Sequence, residues 1–245
     1  FTYEWLVDNQ TQTETTNMFA GPFIVGTIIA CRATPSDGKD DGNVGEDAAT
    51  VSNTAPVVDS VTLSPSTVYT NDTITATAVF SDDDSTQTVS GTYAWHVIDF
   101  QTGTDTEVQT GSDNTLSGVS YFNRDDEVYV VLTPNDGIED GPAMTSNGVF
   151  VANSAPSSPT VSLSPTPANM GQDSLVCAVD VASADDDADT VVYTYRWTDP
   201  DGQAAQTTGN SPNLSDTLAA NMATQGLWTC QVTASDGSLS ASPVS

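Results

Sequence analysis

The chain has 245 residues, room for two or three domains, and sets 33 acidic side chains against 4 basic ones for a net charge of -29. That charge repels phosphate backbones and anionic lipid heads, so nucleic acid and membrane surfaces are poor partners, while divalent cations are favoured. No apolar run has the length of a membrane span. Abundant Thr, Ser, Val and Asp suit strands joined by polar turns and make poor helices.

In chain order, the first landmark is Tyr3-Glu-Trp5, a short aromatic strand. Cys31 follows on a second strand that ends in Thr34-Pro-Ser-Asp-Gly38. Asn53-Thr-Ala-Pro56 reads as a linker. Val61 and Leu63 then mark a strand, Thr73 to Phe80 a second, and Tyr93 to Ile98 a third around Trp95. Glu127 to Leu132 is a fourth, closed by Thr133-Pro-Asn-Asp-Gly137, and Val149 with Val151 lie on the last. Most runs are short and alternate apolar with polar residues, as a sheet with one buried face does. From Asn153 the series begins again: Asn153-Ser-Ala-Pro156 repeats the linker and Val161-Ser-Leu-Ser-Pro165 repeats Val61-Thr-Leu-Ser-Pro65. Tyr195-Arg-Trp197 repeats Tyr93-Ala-Trp95, and Thr233-Ala-Ser-Asp-Gly237 repeats the strand end.

The repeats define three units, 1–53, 54–153 and 154–245, each with the strand spacing of an Ig-like sandwich. The expected fold class is all-β, tandem Ig-like β-sandwich domains in a linear array. Lettering the strands A to G, Cys177 falls on strand B, Trp197 on C and Cys230 on F of the third unit. That order is the inter-sheet disulfide packed by a Trp, and it implies an oxidising compartment. Ala76 and Val130 occupy the same places in the second unit. Cys31 aligns with Cys230 and is unpaired within this chain, because residues 1–53 hold only strands C to G. Its strands A and B are expected upstream of Phe1, with donation by a neighbouring molecule as the other source.

The Asn-Thr/Ser-Ala-Pro linkers, the Tyr-x-Trp strands and the Thr-x-x-Asp-Gly strand ends together resemble the Ig-like, PKD-like and cadherin-like tandem repeats of large bacterial and archaeal surface proteins. The resemblance implies an extracellular stalk, fibre or adhesin shaft whose partners are neighbouring repeats or identical subunits of a filament. It departs from the PKD core motif, having Trp95-His-Val-Ile-Asp99 and Trp197-Thr-Asp-Pro-Asp-Gly202 instead, and it lacks the full cadherin linker.

Catalysis finds little support. His96 is the single histidine and alternation turns it outward, no Gly-x-Ser-x-Gly elbow is present, and nothing resembles a zinc site. Trp5, Trp95 and Trp197 on strand C, with Trp228 near Cys230, read as core rather than as a sugar-stacking set. Asn9, Asn71 and Asn213 open N-glycosylation sequons.

Calcium is the candidate cofactor, since hard cations need several oxygens on short loops. The B–C loops offer Asp82, Asp83 and Asp84, and Asp185, Asp186, Asp187 and Asp189. The F–G loop of the second unit offers Asp136, Glu139 and Asp140, and that of the first Asp37, Asp40 and Asp41. These loops share one pole of a sandwich, so the carboxylates are expected near the linkers at Asn53 and Asn153. The E–F segment Asn123-Arg-Asp-Asp-Glu127 is expected to approach the second linker from the other side. Solvated acidic turns are the alternative reading, because the spacing matches no complete calcium motif.

Overall fold

The structure is a computed structural model that describes residues 1–84 and 86–245. Its regular structure is nearly all strand, antiparallel except where Val151–Ala152 runs parallel to Val68–Tyr69, and among the described residues no helix is long and apolar enough to cross a membrane.

The first unit holds β1 (Thr2–Val7), β2 (Gln10–Thr11), β3 (Ile28–Thr34) and β4 (Gly45–Thr50) in a single sheet ordered β2-β1-β3-β4. The second holds β5 (Val57–Ser64), β6 (Val68–Tyr69), β7 (Thr73–Ser81), β8 (Ser90–Ile98), β9 (Asp105–Gly111) and β10 (Thr115–Ser117). A one-turn helix α1 (Gly118–Tyr121) precedes β11 (Glu127–Asn135), β12 (Met144–Thr145) and β13 (Val149–Ala152). Its two sheets run β10-β7-β5 and β6-β13-β11-β8-β9. The third unit holds β14 (Thr160–Ser164), β15 (Leu175–Val181), β16 (Val192–Thr198), β17 (Ala204–Ser211), β18 (Ser215–Leu218) and β19 (Thr229–Ser235), in sheets β14-β15-β18 and β17-β16-β19. The fold is therefore a tandem of Ig-like β-sandwich units.

Register places the three units on one template. Trp5 pairs with Cys31, Trp95 with Val130 and Trp197 with Cys230. On the facing sheets Leu63 pairs with Ala76, and Leu163 with Cys177. Strand period is two, so these registers aim each Trp and its cross-strand partner into the same core layer. Trp95 and Trp197 are fully buried. Around Trp95 pack Ile74, Leu116, Val128 and Leu132; around Trp197 pack Leu175, Tyr195, Leu218 and Val232. In the third unit Cys177 and Cys230 are bridged with their Cα atoms 6.3 Å apart, and in the second Ala76 and Val130 fill that place by packing alone.

The first unit differs from the expected run of strands C to G. It has the C, F and G strands, the edge strand β2, and no strand E among residues 12–27. The reason lies in the ladders of its neighbours. Strand E pairs with strand B, as β10 does with β7 and β18 with β15. Without a strand B, an E segment has no ladder partner for its backbone groups.

Candidate functional site at the linkers

The Asp-Gly strand ends form one repeated turn. Asp37 accepts the backbone N–H groups of Lys39 and Asp40, Asp136 those of Ile138 and Glu139, and Asp236 those of Ser238 and Leu239. The residue before each Asp accepts the N–H of the glycine after it, at 3.3 Å for Ser36, 2.7 Å for Asn135 and 3.1 Å for Ser235. Gly38, Gly137 and Gly237 stand at φ of 90°, 93° and 96°, where a side chain is strained, so the motif needs glycine there.

The Asp of this turn also holds the linker. Asn53 Nδ2 donates to Asp136 Oδ2 at 2.8 Å and to Glu139 Oε1 at 2.9 Å, and Asn153 Nδ2 donates to Asp236 Oδ2 at 2.8 Å. The next residue reaches the B–C loop: Thr54 N–H donates to Asp84 Oδ2 at 2.7 Å, and Ser154 N–H to Asp187 Oδ2 at 2.6 Å. Each linker is thus tied to its own following sandwich by two carboxylates from two loops. Burial pushes the Asp136 and Asp236 carboxyls up, but the N–H donors of their turns and the Asn amides outweigh it and hold both below the usual carboxylate range. Asp37 is lowered by the N–H groups of Asp40 and Lys39. The F–G loop also lies so close to Pro56 that a Cβ on Gly141 would sit 1.7 Å from the Pro56 carbonyl oxygen.

The two junctions differ in what meets the Asn carbonyl. The amide of Gln87, from the second unit that follows this linker, lies 2.5 Å from Asn53 Oδ1. At the second junction Arg124, from the preceding unit, donates to Asn153 Oδ1 at 2.7 Å and pairs with Asp189. Thr70, also from the preceding unit and buried, bonds Asp187. Asp189 opposes the Arg124 pair's half-buried guanidinium. Burial lowers the pKa of that guanidinium, but Asp189 outweighs this and raises it.

Among the described residues, one group of carboxylates gathers closely enough for a metal. It is Asp185, Asp187 and Asp189, with ligand atoms within 4.8 Å of one another. Asp185 Oδ1 accepts the N–H groups of Asp187 and Asp189, while its Oδ2 is buried without a donor, as is Ser154 Oγ. Arg124 already engages Asp189. The other calcium candidates are not gathered. Asp82 and Asp84 are spent on loop and linker N–H groups, Asp136 on its turn, and Asp140 on the Asn135 amide; Asp83 and Asp186 are exposed. Asp40 and Asp41 are exposed in the F–G loop of the first unit.

Trp228 is buried with Nε1 donating to the Thr224 carbonyl. His96 lies on the outer face of the second unit, stacked on Tyr129 and 3.0 Å from Asp105. Asn9, Asn71 and Asn213 are exposed. Sequence reading missed the Asn53 and Asn153 amides, Gln87, Thr70 and Asp236 as members of the site. The repeat did carry a signal for Asp236, which stands in the same Asp-Gly motif as Asp136.

No protein-family model matches the chain, and no curated protein matches it. Among solved structures, the FN1-FN3 domains of chicken CNTN1 align over 99% of this chain and 86% of that one, at 15% identity and a TM-score of 0.33. A two-domain fibronectin type-III segment of chicken tenascin aligns over 76% of this chain and 95% of its own, at 10% identity and a TM-score of 0.46. Both are tandem β-sandwich segments. At these scores they say nothing of ligand or partner.

Proposed function

We propose that this chain is a segment of an extracellular structural protein, a run of sandwich units serving as a stalk or fibre, and that it does no catalysis. The observation that carries the reading is the repeated linker knot, in which Asn53 and Asn153 dock on Asp136 and Asp236 while Thr54 and Ser154 dock on Asp84 and Asp187. A linker with its polar groups satisfied by its own domain has lost much of its freedom to swing. Arg124 and Thr70 add ties between the second unit and the third. Each unit would add roughly 35–45 Å of length. The single disulfide supports an oxidising, extracellular setting. Electron microscopy of native material tests this: regular filaments or uniform shafts are expected, and an attached catalytic domain would overturn it.

An adhesin shaft that carries a ligand-binding head elsewhere is the second reading, and distinct heads on isolated shafts would favour it. We also propose that calcium tunes the second junction, held by Asp185, Asp187 and Asp189. The buried, donor-free Asp185 Oδ2 supports this, and Arg124 competes with the ion for Asp189.

A further inference from the structure

The outer face of the second unit carries the single histidine of the chain. His96 on β8 pairs in register with Glu107 of β9 on one side and Tyr129 of β11 on the other. Trp95 and Val97 beside it are buried, so alternation turns His96 outward with these two partners. Its ring is held in place. The imidazole stacks on the Tyr129 ring, with centroids 4.8 Å apart and planes 13° from parallel. Its Nδ1 lies 3.0 Å from Asp105 Oδ1, and the other oxygen of Asp105 accepts the Tyr129 hydroxyl, which fixes the carboxylate.

An ionised carboxylate can only accept, so Nδ1 carries the hydrogen and the neutral ring presents a bare lone pair at Nε2. That nitrogen faces Glu107 Oε2 at 4.0 Å. Two acceptors thus confront each other, in a setting where Asp105 adds further negative charge. One ring nitrogen bonded to a carboxylate and the other left free is the arrangement of a metal-binding histidine. Around a tetrahedral zinc ion, with nitrogen and oxygen ligands at about 2.0–2.2 Å, neighbouring donors lie about 3.4 Å apart. The Glu107 side chain is half-exposed and closes that difference by a small rotation. We propose that His96 Nε2 and Glu107 Oε2 form a zinc site on the outer face of the second unit, with Asp105 and Tyr129 as positioning residues and water completing the coordination. No sequence motif shows it, because its ligands come from neighbouring strands rather than one loop. It is separate from the linker carboxylates, whose oxygens suit a hard cation, whereas imidazole suits zinc. The inference does not depend on the chain forming a rod.

The test titrates zinc chloride into the full 245-residue chain carrying Cys31→Ser, which removes the free thiol as a competing ligand. Excess calcium at constant ionic strength occupies the acidic loops. The solution is held at about pH 7.5, where an ordinary imidazole is neutral. With one histidine, long-range proton–nitrogen NMR spectra contain one imidazole and report both its tautomer and the nitrogen that binds metal. Without zinc the hydrogen should sit on Nδ1, and zinc should shift the Nε2 signal. Glu107→Gln should weaken zinc binding at least about tenfold, and Asp105→Asn should weaken it while raising the share of the Nε2–H tautomer. Glu127→Gln removes a charge from the strand of Tyr129 without removing a ligand, and should change the affinity less than about twofold. A metal-free ring with its hydrogen on Nε2, zinc bound through Nδ1, no zinc-dependent shift of the imidazole, or equal losses in Glu107→Gln and Glu127→Gln would each overturn the proposal.

Discussion

Replacing Cys177 by Ala and Cys230 by Val writes the core layer of the second unit, Ala76 with Val130, into the third. The bridge spans a sequence separation of 53 residues. Closing a loop of that length removes chain entropy worth about 4 kcal/mol from the unfolded state. The Ala/Val pair keeps a packed layer beneath Trp197, so a void adds little, and measured bridges deliver less than the entropy model. A net loss of about 2–4 kcal/mol is therefore expected. For a domain of this size that lowers the melting temperature by roughly 10–25 °C. Differential scanning calorimetry should show the third unit's transition falling by this amount while the second unit's stays in place as an internal reference. A shift of the third unit under about 5 °C, or an equal shift of both, would refute the assignment of the bridge as a constraint local to the third unit.

Three further outcomes are expected. Gly141→Ala should lower the second unit's stability by about 1–3 kcal/mol in urea unfolding, because its Cβ meets the Pro56 carbonyl, whereas Ala241→Gly in the third unit should cost less. Asp136 and Asp236 titrate below their unfolded value of 3.8, so the stability they contribute is present above that pH and is lost as pH falls through their folded values. Asp136→Asn and Asp236→Asn should each flatten the acid limb of their own unit's unfolding curve below about pH 4, and an unchanged limb would contradict the linker role. Calcium at constant ionic strength should raise the melting temperature of Arg124→Ala more than that of the native chain, since Asp189 is then free; equal responses, no larger than those to monovalent salt, would leave the acidic loops as solvated surface.

The repeated Trp and Cys positions were legible in the sequence because a strand's period of two carries a residue's face directly into the fold. The same logic placed Ala76 and Val130. Convergence of the loops on Asn53 and Asn153 followed from the shared pole of a sandwich. The bonds made there did not, because Asn-Thr/Ser-Ala-Pro reads as a linker and gives no sign that its amide is the donor. Acidic abundance hid the division of labour among carboxylates: Asp136 serves a turn and a linker, Asp189 faces Arg124, and Asp83 faces water. Arg124 was anticipated only as part of a segment nearing the second linker, since its partners lie across a unit boundary.

On the proposed reading, the Arg124, Thr70 and Asn153 ties hold the second and third units in a fixed relation. Spin labels on unnatural side chains at Val79 and Val181, exposed on β7 and β15, leave the cysteines for independent control and can be placed in a Cys31→Ser background. Double electron–electron resonance should give one narrow distance distribution for this chain, and a distribution at least about twice as wide for Arg124→Ala. A broad distribution before the substitution, or the same narrow one after it, would contradict the account.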